Sequence, residues 1–224
     1  EPQTLDNLFR ITGVLLPEEE VDLVFETSGK ITNIFFKEGT NVRKGELLAK
    51  VNDAPLQAEL LKLQAQLPLA EDRVFRQQTL LERDAISQET YQSVTTQLET
   101  LRADIELVKA RIDQTELRAP FDGVIGLRQV SEGAYASPQV VVSTLTKISP
   151  LKIEFSLTQN FVNMIRPGTD IAFTVENDLE IYDATVYAVE SRLDVQTLSL
   201  FARARYPNAD GRIKPGQSAS VRIS

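Results

Sequence analysis

Two stretches of the chain repeat apolar residues at alternating spacings of four and three. The first places Leu56, Leu60, Leu63, Leu67, Ala70, Val74 and Leu81 on one face, and the second places Tyr91, Val94, Leu98, Leu101, Ile105, Val108 and Ile112. Charged and amide residues cover the remaining faces, so each stretch reads as a helix with a heptad seam. Only Asp84-Ala85-Ile86-Ser87 separates them. A break this short turns the second helix back along the first and predicts an antiparallel coiled-coil hairpin over 54–113. Arms of about 27–30 residues at ~1.5 Å per residue make a rod roughly 40–45 Å long. A rod of that kind buries a thin seam and must project from something else. Asn52 or Asp53 offers a cap for the first helix and Pro55 suits its first turn. Pro68 predicts a bend or local loosening within that helix. Ser87 is the expected N-cap of the second helix, with Glu89 in its first turn, and that helix should end before Leu117.

The pattern outside the rod has period two. Gly29 to Gly39 reads Gly, strand, Glu-Gly, and Gly123 to Gly133 repeats it. Leu47–Val51 lines up in the same way with Val141–Leu145. Neither copy can bury an apolar face alone, so the two are expected to pair as a small β sandwich, 21–53 with 114–147, with the rod inserted at one corner. Gly39 is expected at positive φ. Ahead of this unit, Leu8–Leu15 reads as a strand ending near Pro17, and Val21–Phe25 as a second one. From Pro150 onward, Leu151, Ile153, Phe155 and Leu157 alternate. A short helical stretch within Gln159–Ile165 precedes strands at Ile171–Val175, Leu179–Val189, Leu198–Tyr206 and Ser218–Ile223. These predict a small antiparallel β barrel over 148–224, completed by the strand in 1–20. The fold class is thus an elongated, multi-module α+β chain. Short connections near Asn52-Asp53, Gln114-Thr115 and Ser149-Pro150 are expected to act as hinges.

Composition narrows the function. The 224 residues carry a net charge of −8, which argues against nucleic acid as the main partner. Cysteine and histidine are absent, which removes disulfides, thiolate chemistry and the commonest metal ligand. Only 7% of residues are aromatic and none is Trp, which fits several modules better than one large core. No apolar run approaches the ~20 residues needed to span a bilayer. Nucleophile elbows, phosphate-binding loops and metal-ligand clusters are all missing, and Asp122, Asn208 and Asp210 read as turn residues. No enzyme, cofactor or metal is expected.

The split β repeat resembles the two halves of a biotinyl/lipoyl-carrier-like domain. Carrier domains present a modifiable Lys where their halves join. Here the joint is Asn52-Asp53-Ala54 followed by the rod, so a swinging-arm role is not expected. A helical hairpin between such halves, followed by a barrel, resembles the periplasmic adaptor proteins, or membrane fusion proteins, of Gram-negative tripartite efflux pumps. The supporting stretches are Gly29–Gly39 with Val42–Leu48, Leu117–Ile125, and Ile213-Lys214-Pro215-Gly216-Gln217. The resemblance implies an adaptor between an inner-membrane RND transporter and a TolC-type outer-membrane channel, assembled as a trimeric or hexameric sheath. It implies a periplasmic location tethered to the inner membrane.

Adaptors of RND pumps carry Arg-x3-Leu-x6-Ser near the hairpin tip to engage the channel, and Arg76, Leu80 and Ser87 meet that spacing. Each also has a plain structural role open to it: a solvated helix residue, a neighbour of the Leu81 seam position, and a helix cap. The family's membrane-proximal β domain and N-terminal anchor have no counterpart here, which implies a piece of a longer protein. An adaptor of an ABC-type exporter or type I secretion system is the alternative. A metal-efflux adaptor is disfavoured because Met164 is the only soft ligand in the chain.

Overall fold

The computed structural model describes residues 10–223. The first nine positions of the expected N-terminal module, Leu8 and Phe9 among them, lie outside the described residues. In chain order the elements are β1 (Arg10–Leu23), β2 (Gly29–Ile34), β3 (Asn41–Val42), β4 (Leu47–Val51), α1 (Ala54–Glu82), α2 (Gln88–Gln114), β5 (Glu116–Arg118), β6 (Gly123–Ile125), β7 (Tyr135–Ala136), β8 (Ser143–Thr158), β9 (Asp170–Val175), β10 (Tyr182–Val189), β11 (Ser199–Tyr206) and β12 (Ser218–Ile223). A 3-10 turn at Val162–Met164 occupies the short helical stretch expected there.

Six strands close the barrel in the order β1-β12-β9-β10-β11-β8, with β8 returning to β1 and every pairing antiparallel. Closure leaves no strand edge open. Inward positions alternate along each strand, and Leu15, Leu151, Ile153, Phe155, Phe173 and Val221 are among those fully enclosed. Phe173, Tyr182 and Tyr206 meet with ring centroids 5.4 Å apart, two of the three contacts being edge-to-face.

A second core lies in the other β module, built from Phe25, Ile31, Leu48, Val51, Ile125, Val142 and Leu145. Its strands interlock across the helical insertion. β2 from before the helices pairs with β7 from after them, and β3 pairs with β6. The two copies of the repeat therefore exchange equivalent strands. Gly39 (φ 72°) and Gly133 (φ 88°) occupy matching turns that a side chain would strain.

Two expectations need correction. Within the described residues, the strands expected at Leu8–Leu15 and Val21–Phe25 merge into one continuous strand, β1 from Arg10 to Leu23, and Pro17 does not stop it. Pro17 is paired with Leu151 at an irregularity in the register, and β12 has already left the other side of β1 after Val14. The missing amide thus falls where it costs little ladder bonding. Ser149-Pro150, expected as a short connection, lies inside β8. The barrel and the β sandwich are joined by a two-stranded ribbon of β1 and β8, so the limits drawn at 20 and 148 fall within strands.

α1 and α2 start and finish on neighbouring strands. Lys50 of β4 is opposite Glu116 of β5, and the Val51 amide donates to the Thr115 carbonyl at 2.9 Å. Leaving from one corner and joined by residues 83–87, the helices run back along each other. Every residue named in the two apolar rows is half-buried or buried, Leu98, Ile105 and Val108 being the fully buried ones. α1 passes through Pro68 without a break. Pro68 and Gln64 are both exposed, so water can solvate the Gln64 carbonyl that the proline leaves without a partner.

Candidate functional site

The far end of the helical pair holds the three residues singled out by spacing. α1 ends at Glu82, and the amides of Arg83 and Ala85 both donate to the Leu80 carbonyl, at 3.2 and 2.9 Å. Asp84 takes φ 54°, a conformation Asp tolerates better than most residues, and the chain reverses there. Ser87 then caps α2: the Thr90 amide donates to its Oγ at 3.2 Å. Its role as N-cap is as expected. At the start of α1, Asn52 and not Asp53 is the one of the two candidates whose side chain meets a helix amide. Asp53 stands at the capping position without bonding a helix amide. Its carboxylate pairs with Lys50 at 3.0 Å and accepts from Gln57, and Asn52 Oδ1 accepts the Ala54 amide instead.

Arg76 and Leu80 lie one helical turn apart on the same face of α1. Arg76 extends into solvent and makes an ion pair with Asp72 at 2.9 Å, an exposed contact of small energetic weight. Leu80 is exposed although large and apolar. Among the described residues, no side-chain hydrogen bond or ion pair joins any two of the three. They share the tip as a surface and form no bonded cluster. Phe75, 69% exposed beside Arg76, belongs to the same surface. Heptad counting passes over it because it stands one position off the Val74 seam, about 100° around the helix. Its signal is the oddity of a phenyl ring on the polar side.

A polar cluster on the barrel joins the β9–β10 loop to the turn before β12. Arg212 bridges Asp178 at 3.0 Å and Glu180 at 2.9 Å, and it also bonds the Tyr182 hydroxyl, which donates to Asp178 at 2.6 Å. This strap ties the β9–β10 loop to the turn before β12. Hydrogen bonds from Tyr182 and the Glu180 amide hold Asp178 below the usual carboxylate range. The bond to Asp178 and the burial of its ring push Tyr182 up to about 12. Every member is engaged by a neighbour, so the cluster fastens loops and leaves no free acid or base. Among the described residues no group of His, Cys, Asp or Glu could hold a metal ion. No helix there is long and apolar enough to cross a membrane.

Comparison with known proteins agrees with this architecture. Residues 19–146 match the family model described as RND MFP, barrel-sandwich hybrid domain, and residues 151–224 match the CusB-like, beta-barrel domain. An uncharacterized protein of Haemophilus influenzae is 26% identical over 226 residues, covering 100% of this chain and 59% of its own length. Multidrug resistance protein MdtA of Pectobacterium carotovorum is 25% identical over 236 residues, covering 94% of this chain and 57% of its own. The chain thus spans less than two thirds of these curated relatives. A crystal structure of a MacA-MexA chimera carrying the Pseudomonas aeruginosa MexA α-hairpin domain superposes with a TM-score of 0.83 at 24% identity, covering 96% of this chain and 80% of that one. That likeness is one of fold. With its barrel-sandwich model spanning more than half of the sequence and its barrel model spanning most of the rest, this chain belongs to the RND membrane fusion protein family.

Proposed function

We propose that the chain is the adaptor part of a tripartite multidrug efflux pump, joining an inner-membrane RND transporter to a TolC-type outer-membrane channel across the periplasm. The observation that carries the reading is a helical rod held at its base by interlocked strands and presenting Arg76, Leu80 and Ser87 at its free end. On this reading, 54–113 is a coiled-coil hairpin, 21–53 and 114–147 are the halves of a lipoyl-like domain, and 1–20 with 148–224 make the barrel. The role is mechanical and non-enzymatic. Arg76 supplies several donors to carbonyls at a partner's helix turn, Leu80 fills a groove, and Ser87 shares its hydroxyl. The names of the MdtA relatives favour drugs as the exported cargo. Off-seam Leu61, Leu69 and Phe75, each more than half exposed, support packing of several rods into a trimeric or hexameric sheath. The protein works in the periplasm, tethered to the inner membrane.

The test is reconstitution of the full-length protein in cells lacking their own adaptors. Drug resistance should return only when an RND transporter and an outer-membrane channel are supplied with it. Resistance or secretion restored by an ABC exporter in place of the RND transporter would overturn the reading.

A further inference from the structure

The apolar seam of the rod has one polar member. Between Val74 and Leu81 the spacing of three and four puts Gln77 on the seam face, and Gln77 is half-buried there. Its Oε1 is enclosed and has no hydrogen-bond partner. A buried polar group without a partner weakens the packing around it, and a polar residue in a heptad core fixes register at the cost of stability.

The packing on either side of Gln77 is unequal. All three fully buried residues of α2, Leu98, Ile105 and Val108, lie toward the base, and α1 has none. Beyond Leu98 the seam is made of half-buried Tyr91 and Val94 facing the end of α1. The rod then closes through Asp84 in the left-handed region. A shallow seam, an unmet amide oxygen and a left-handed reversal therefore all fall in the same distal third.

We infer that Gln77 is a positioning residue that makes the distal third of the rod, residues 77 to 95, open locally as a unit separate from the base, so that the tip adjusts its shape when it docks. Local opening draws on segments with few buried apolar contacts. The docking half of this inference rests on the tip reading above, whereas the opening half does not.

Hydrogen exchange on the protein as it stands tests the opening. Amides of α1 after Gln77 and of α2 before Val94 should exchange at least ~10-fold faster than those flanking Leu98, Ile105 and Val108. Gln77→Leu should slow the distal amides by about tenfold and leave the basal ones unchanged. Equal protection along the whole rod, or no response of the distal amides to Gln77→Leu, would overturn the inference. Docking is read by a photocrosslinking residue at position 83 of the full-length protein in cells. Gln77→Leu should reduce the crosslink to the channel several-fold, whereas Gln77→Asn should retain it. If the two variants crosslink equally while the exchange results hold, the opening has no part in docking. If Arg76→Asp leaves the crosslink intact, it is the tip reading that fails.

Discussion

The barrel and the rod solve the same problem with different amounts of interior. In the barrel, Phe155, Phe173, Leu157 and Val221 are enclosed by strands that come from both ends of the chain. In the rod, α1 encloses nothing completely and α2 only three side chains. The barrel's stability is spread over many non-local contacts and its surface chemistry is used on itself, as in the Arg212 strap. The rod depends on one seam, and most of its surface is free for other molecules. A module with little interior is therefore sensitive along one line and tolerant everywhere else.

The strongest way to break that contrast is to cut the barrel interior. Phe173→Ala removes a ring held between Tyr182 and Tyr206 and should cost about 3–5 kcal/mol in urea unfolding. A loss below ~1 kcal/mol would mean that the barrel core is as forgiving as the rod surface. Next, Leu98→Ala at the buried part of the seam should cost about 2–3 kcal/mol, read as lost helical circular dichroism. Leu60→Ala, half-buried in α1, should cost distinctly less, and equal losses would erase the idea that seam depth varies. Pro68→Ala should act in the opposite direction and stabilise α1 by up to about 3 kcal/mol, because an exposed position regains a helix hydrogen bond. No gain in melting temperature would show that the helix already accommodates the proline.

Two further outcomes sharpen the contrast without large stability changes. Among the five tyrosines, one should ionise at about 12 in a spectrophotometric titration, and Asp178→Asn should bring it down toward the ordinary value of 10.0. The signs follow from linkage. The raised Tyr182 value contributes stability that is present below pH 10.0 and is lost as pH rises toward 12. The lowered Asp178 value contributes stability that is present above 3.8 and is lost as pH falls below it. Arg76→Asp should change stability by no more than about 0.5 kcal/mol, since Arg76 is exposed. It should nonetheless abolish drug export by the full-length protein, because a carboxylate there would face partner carbonyls. Normal export by a folded Arg76→Asp protein would make the tip spacing a coincidence.

The rod was the most legible part of the sequence because its periodicity is local. Each seam residue from Leu56 to Ile112 reports its own face, and the structure half-buries or buries every one of them. The barrel strands were legible for the same reason, with Ser218–Ile223 matching residue for residue. What stayed hidden depended on neighbours distant in sequence. Pro17 looks like a strand end until β8 is seen beside it and β12 is seen to have left. Asp53 looks like a helix cap until Lys50 claims its carboxylate. Phe75 and Gln77 are invisible to a rule that asks only whether seam positions are apolar. Ser87 was readable as a cap, but whether it also meets a partner is not written in local pattern. Arg76 and Leu80 stand at the tip as the spacing implied, and their use as a docking surface rests on partners outside this chain.

The adjacency of the rod's two feet has a consequence for how such molecules diversify. Lys50 and Glu116 face each other across β4 and β5, so the base is defined without reference to what lies between them. Adding one heptad to each arm keeps the seam in phase and leaves every strand of the β sandwich untouched. Each such addition extends the reach by about 10 Å. The helical pair is in this sense an adjustable ruler, whose length can change while the socket that holds it stays the same.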